Sequence, residues 1–397
     1  MSLAHSPGVV TNGLQFYYDM SNTQKSFKGQ PTTNWFGIPT PDSSGNVTFP
    51  VQGTGTFQRI YAGTYGGYTI QPTDIVYKYV LGLAPTGCHY HGNTISVTTG
   101  QTPTWSFDYY IDGSTTGYPV TNYLANMESS VGVGTSVTDP TPGTIGVWKS
   151  ATVTSAAATS NGTFNAYLYP GACGTQMATG GFILYKNPQV EFNSFATPFT
   201  TSTRSTSQAV VDITGKNTVT AINITYNSSN AFTFNGTTGY LQSGTTSIDW
   251  SLGGTVDMWI NSSSASTTQG VMSFQAGNAY VDFYMTGSKM RWEVIGNLAL
   301  GGYVQFYSNT TLASNTWYHI VGTFTTAGVA NLYINGVLDA TQTATNVPTS
   351  AYTATINIGT YAGLFVGQLP STKIYNRTLS AAEVLQNFNA HRGRYGL

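Results

Sequence analysis

Charge is scarce in this chain of 397 residues: Asp, Glu, Lys and Arg make up 7% of it, against roughly 25% in an ordinary soluble domain. The net charge is -1, so the chain offers no electrostatic grip on nucleic acid or an anionic membrane. Cysteine is scarcer still. Cys88 and Cys173 are the whole complement, too few for a disulfide framework. Sequence leaves open whether the two bridge, because a bridge needs the two Cα atoms brought close together. No apolar run approaches the ~18 residues of a membrane-spanning helix. The opening "MSLAHSPGVV" has neither a basic n-region nor an apolar h-region, so the expectation is synthesis in a cytosol without a Sec signal.

What fills the chain is 45 Gly, 27 Tyr and abundant Ser and Thr. Hydrophobic residues reach 40% and aromatics 13%, enough to build cores and to exclude disorder. Aromatic and β-branched residues favour strands, and Gly, Asn, Asp, Ser and Pro favour turns. The chain reads as all-β. "TVDMWINS" alternates Val256, Met258 and Ile260 on one face with Asp257 and Trp259 on the other. Asn335-Gly336 is a two-residue hairpin signal of type I′. One helix is expected near the end, opened by a capping box at Ser380 and Glu383. It places Val384, Leu385 and Phe388 on one side at helical spacing, and Gly393 can stop it.

Residues 31–204 read as a separate β-sandwich. "TPTWSFDYYIDG" sends Trp105, Phe107, Tyr109 and Ile111 inward and Ser106, Asp108, Tyr110 and Asp112 outward. "KNPQVEFNSFATPFTTSTRS", residues 186–205, reads as the end of that sandwich. The strand-like "LQFYYD" at 14–19 stands apart from it, before "PTTNWF" opens the next unit.

Several stretches resemble laminin-G-like, concanavalin A-like jelly rolls: "NGLQFYYDMSNTQKSF", "AFTFNGTTGYLQ", "TVDMWINS", "TWYHIVGTF", "NLYINGVLD" and "KIYNRTLSAAEVLQNFNAHRGRYGL". Together they cover about half the chain, in the family's order. The "NGLxFYYD" start and "RGRYGL" end resemble structural proteins of tailed bacteriophages, particularly marine ones. "TPTWSFDYYIDG", "WKSATVT" and "NPQVEFNSFATPFTTSTRS" resemble galactose-binding-like jelly rolls of the carbohydrate-binding-module type. The resemblance implies an insertion. Residues 1–30 plus 205–397 form one discontinuous laminin-G-like sandwich, and 31–204 is a galactose-binding-like one inserted in it. Insertion is tolerated where a domain's ends lie close together at the surface. Phe192, Phe195 and Phe199 would pin the inter-domain junction.

Glutamate is limited to Glu128, Glu191, Glu293 and Glu383. A retaining glycosidase needs two carboxyls roughly 5–5.5 Å apart. Glucanases of the concanavalin-like fold carry acids at alternate positions of one strand, and no strand here has that. Asp108 and Asp112 share a face at a separation of roughly 13 Å, and read as solvated or turn-capping groups. Glu191 is expected to pair or cap at the end of its module. Laminin-G-like calcium sites use an acid in the loop after "FNG", where this chain has Thr237 and Thr238. No cofactor is therefore expected, and calcium at that site lacks its usual acidic ligands. His89 and His91 in "GCHYHG" would face one way on a strand, half a metal site with no second cluster. His319 reads as a satisfied sandwich histidine.

Tyr61, Tyr65 and Tyr68 on Gly-rich backbone offer flat faces of the kind that bind sugars, with core or oligomer packing as the competing reading. The resulting expectation is a non-enzymatic virion surface protein of a tailed phage. Capsid decoration or a fibre-like appendage with weak glycan or host-surface binding is the first reading. A tail-fibre receptor-binding adhesin is the alternative, and a polysaccharide depolymerase a third. Expected partners are the major capsid protein or tail components, copies of the chain itself in a symmetric oligomer such as a trimer, and a host-surface glycan.

Overall fold

Val256, Met258 and Ile260 turn inward from the strand Gly254–Ser262 and are fully buried, as period-two alternation requires. A computed structural model describes residues 8–23, 25–52, 55–81, 90–115, 123–139, 141, 144–170, 181–226 and 232–397. The chain splits into two units, 1–30 with 205–397 and 31–204. Cys88, His89 and Cys173 lie outside the described residues.

The first unit is a sandwich of an eight-stranded and a seven-stranded sheet. Leu14–Asp19 pairs antiparallel with Val366–Tyr375, Tyr18 opposite Thr372. The same strand Val366–Tyr375 pairs on its other side with Gly254–Ser262. Between the sheets lies one core that includes Trp250, Phe274, Trp292 and Phe324. Each large apolar side chain buried there contributes ~1.5–3 kcal/mol. Gly322 faces that core. A Cβ on it would come within 2.6 Å of Phe283 and Trp292, whose rings stack at 4.2 Å. Any larger residue would have to displace them.

The hairpin at 335–336 has φ of 51° at Asn335 and 79° at Gly336. Two successive positive φ values are what a type I′ turn requires, and they fit the twist of the flanking strands. The helix Ala381–His391 carries the expected reciprocal cap: Ser380 Oγ accepts from the Glu383 amide, and Glu383 answers to the Ser380 amide. Its buried face is Val384, Asn387, Phe388 and His391. Leu385 is 45% exposed, which corrects its expected place. One residue on from Val384 is about 100° around the helix, and the polar Asn387 completes the face instead. Gly393 does not stop the helix either, because a 3₁₀ turn continues over Arg392–Arg394.

The second unit pairs a six-stranded with a five-stranded sheet. Its core is built on rings at edge-on contact, among them Phe57 against His91 at 4.9 Å and Phe36 against Trp105 at 4.8 Å. Trp105, Phe107, Tyr109 and Ile111 point into it. Tyr110 does not face solvent as alternation alone suggests. It is buried in a smaller cluster with Ile70, Val76 and Leu184 on the far face of the sheet. Glu191, fully buried, accepts hydrogen bonds from the side chains of Gln189, Asn193, Thr197 and Thr32 and from the Thr197 amide. This ties the last strand to the tail that leaves it. Thr203–Arg204 then pairs with Thr32–Thr33 at the entry to the unit.

Candidate functional site

The outward residues of Gly254–Ser262 read Thr255, Asp257, Trp259 and Asn261. The helix covers the middle of this row. Asp257 is wholly buried, with Lys373 Nζ at 2.9 Å, His319 Nε2 at 3.2 Å and Asn387 Nδ2 donating at 2.8 Å. Burial alone would raise its carboxyl. The charges of Lys373 and His319 outweigh that and hold it well below the ordinary range. His319 is therefore a buried neighbour of Asp257 in this network, but not the satisfied histidine expected, because its Nδ1 finds no hydrogen-bond partner among the described residues. Trp259 stacks on Tyr395 at 4.2 Å and on Phe388 at 5.9 Å. Tyr395 in turn meets Trp317 at 4.5 Å.

Beyond the helix the row continues to Asn261, and here the face opens into a cleft of about 530 Å³. Thr233, Asn261, Ser263, Asn315, Trp317 and Gln368 line it, with Val366 and Gly367 beneath. Trp317 and Asn261 are half-buried, and Asn315 and Ser263 are exposed. Asn315 sits at φ 57° with its amide donating to the Ser262 carbonyl at 2.7 Å, a conformation Asn tolerates better than most residues. Among the described residues, no hydrogen bond ties down the side chains of Thr233, Asn261, Asn315 or Gln368. Amides and hydroxyls thus converge, unengaged, around an indole ring.

Comparison with known proteins now fixes the fold of this unit. Residues 235–385 match the family model described as the Concanavalin A-like lectin/glucanases superfamily. The first unit is a concanavalin A-like, laminin-G-like jelly roll. No curated protein matches the chain. Among solved structures, the chain is similar to the binding domain of botulinum neurotoxin serotype G at 18% identity and TM-score 0.37, covering 46% of this chain and 48% of that one. It is also similar to the serotype D binding domain at 17% identity and TM-score 0.38, covering 47% and 50%. The receptor binding domain of the C/D mosaic serotype follows at 16%, 0.37, 47% and 49%. The chain spans about half the length of these structures.

The jelly roll's other outer face, on the seven-stranded sheet, carries a carboxyl pair. Asp282 on Ala279–Thr286 lies directly opposite Glu293 on Lys289–Ile295, and directly opposed residues have Cβ atoms roughly 4.5–5.5 Å apart. Asp282 is wholly buried. Its oxygens accept from the Phe274 amide at 3.2 Å and from Gln275 Nε2 at 2.6 Å. Burial, with Glu293 adding like charge, pushes its carboxyl up to about 8. Burial raises Glu293 as well, against the pull of Arg291. This pair joins two strands, so no scan along one strand could find it.

The loop after Phe234-Asn235-Gly236 is closed on a side-chain oxygen. Asn235 Oδ1 accepts from the amides of Thr237, Thr238 and Gly239 at 2.9–3.0 Å. The loop therefore turns its N–H donors, which repel a cation, onto one side-chain oxygen. No cluster of metal-ligating residues occurs among the described residues. In the second unit His91 is wholly buried among Phe49, Phe57 and Tyr79, in a core environment.

Of the tyrosines singled out from sequence, Tyr65 and Tyr68 lie directly opposite each other in a short hairpin, and Tyr61 stands outside it. Tyr61 is 65% exposed, with the Arg59 guanidinium 5.1 Å from its ring centre. Tyr65 packs against Tyr110 and Phe182. Tyr68 donates to Asp74 at 2.7 Å beneath the Lys186 ammonium, 3.9 Å from its ring. Of the junction phenylalanines, Phe192 packs on Trp35 and Phe164 within the second unit, while Phe195 and Phe199 are half-buried. Asp108 pairs with Lys186 at 3.1 Å, and Asp112 caps the turn at Ser114. Sequence reading missed Asn261, Asn315, Trp317 and Gln368, which come from three separate segments and the ends of different strands. The one available signal was Trp317, an aromatic immediately before the strand Tyr318–Phe324.

Proposed function

We propose that this chain is a non-enzymatic glycan-binding surface protein, and that the cleft at Trp317 is its sugar site. The single observation that carries this is the convergence of unengaged amides and hydroxyls on an indole ring. A pyranose offers an apolar C–H face for the ring and hydroxyls that both donate and accept, as the amides do. The setting proposed is the virion surface of a tailed phage, as a capsid decoration or fibre-like appendage. The terminal "NGLxFYYD" and "RGRYGL" phrases and the low charge support that setting. There the chain would meet the major capsid protein or tail components and copies of itself, in a symmetric oligomer such as a trimer. Many copies would offset a weak single site. Depolymerase activity is disfavoured because Asp282 is buried with both oxygens engaged, out of reach of a glycosidic bond.

A glycan microarray tests the binding reading. Wild-type protein should bind a set of glycans, and Trp317→Ala should lose at least ten-fold in affinity with its Tm unchanged. Binding that Trp317→Ala leaves intact would sink the site assignment. Copy number per particle tests the setting: hundreds means decoration, dozens or fewer means the receptor-binding adhesin of a tail.

A further inference from the structure

We infer that the Trp317 cleft selects neutral sugars and rejects anionic ones. The inference rests on the glycan reading above and names its ligand class. Its basis is the chemistry of the lining. Thr233, Asn261, Ser263, Asn315, Trp317 and Gln368 carry no formal charge, and neither do Phe234, Val366 or Gly367. A carboxylate or sulfate entering the cleft would shed water and meet no Lys or Arg. Burying an uncompensated charge is among the costliest events in recognition, and proteins that bind anionic groups meet them with charge-assisted hydrogen bonds. A sugar hydroxyl poses no such problem. Each of Asn261, Asn315 and Gln368 supplies two donors and an acceptor, and Thr233 and Ser263 supply either. The cleft volume of about 530 Å³ falls in the roughly 300–1,000 Å³ of small-ligand pockets. One side of the Trp317 ring is held by Tyr395, 4.5 Å away. That contact orients the indole before any ligand arrives and leaves the cleft side for stacking.

The experiment uses the full chain and two matched oligosaccharide sets, neutral hexose and N-acetylhexosamine chains against sialylated and uronic-acid chains. Isothermal titration should show neutral binding at least ten-fold tighter than acidic binding, at both low and physiological salt. Trp317→Ala and Asn261→Ala should each lose the neutral binding. Gln368→Arg, which places a cation in the lining, should reduce the preference for neutral chains by ten-fold or more. Tighter binding of acidic chains, lost in Trp317→Ala, overturns the charge selectivity while leaving the glycan reading standing. Failure to bind either set overturns both. A Gln368→Arg variant that folds, by an unchanged Tm, yet keeps the wild-type preference also overturns the inference, because lining charge would not then decide selectivity.

Discussion

Asp257 and Asp282 are both wholly buried aspartates on the outer faces of the same jelly roll, and their carboxyls shift in opposite directions. Asp257 has an ammonium, an imidazole and an amide around it and stays ionised. Asp282 has a carboxylate across the strand and amide donors only, and stays protonated up to about 8. Burial is common to both and pushes both carboxyls up, and what differs is whether a positive neighbour answers it. Lys373 outweighs burial for the first; for the second no cation does, and burial prevails with Glu293 adding to it. The fold uses one carboxyl as an anion that clamps the helix to the sheet and the other as a neutral hydrogen-bonding group.

The comparison breaks most severely at Lys373. Lys373→Met leaves Asp257 charged and uncompensated beneath the helix. It should cost ~3–5 kcal/mol in urea unfolding, and a loss below 1 kcal/mol would show that the pair does not govern stability. The opposite change suits the other face. Asp282→Asn keeps an acceptor for the Phe274 amide and removes the need to hold a proton. It should stabilise the protein by on the order of 2–3 kcal/mol at pH 8. Destabilisation there would mean Asp282 is ionised in the fold.

The pH dependence sharpens the contrast. Below about pH 4 Asp282 is protonated folded and unfolded alike, so its contribution is fully present. It is lost as pH rises toward about 8, because the unfolded carboxyl, near its ordinary 3.8, releases the proton that the fold retains. Asp257 runs the other way. Its contribution is present above its ordinary 3.8 and is lost as the pH falls below that. His391, pushed down to about 3 by burial and by the Lys373 and Arg394 charges, adds a further loss as pH falls below its ordinary 6.5. Chemical denaturation across pH 3–9 should therefore give a dome, and Asp282→Asn should flatten only its alkaline side. The smallest effect belongs to a half-buried pair at the rim. Arg377 and Glu383 meet at 2.6 Å with partly solvated side chains, and Arg377→Ala should cost below ~1 kcal/mol.

The strands were legible because alternation and turn chemistry are local. Val256, Met258 and Ile260, the Asn335-Gly336 hairpin and the Ser380 cap all follow from residues a few positions apart. Tyr110 was misread because a second cluster buries the face that alternation leaves to solvent, and Leu385 because helical spacing admits two adjacent residues while only one can face the sheet. The cleft was out of reach for a different reason. Asn261, Trp317 and Gln368 become neighbours only once strand order and register are set, and neither is written in any single segment. The Asp282–Glu293 pair needed the register of one hairpin. Tyr65 and Tyr68 are set opposite each other by the Gly66-Gly67 turn, while Tyr61 falls outside that hairpin.

The two crossings of the chain into and out of residues 31–204 carry a mechanical consequence. In the first unit, Phe27 bridges Val210, and the Lys28 amide donates to the Ala209 carbonyl at 2.8 Å. In the second, Thr32 and Thr33 pair with Arg204 and Thr203. Each unit is thus closed on itself by its own bonds at the crossing. A force carried through the first unit travels across the Phe27–Val210 bridge and bypasses the second, which can unfold and refold as a side branch without letting the main path extend.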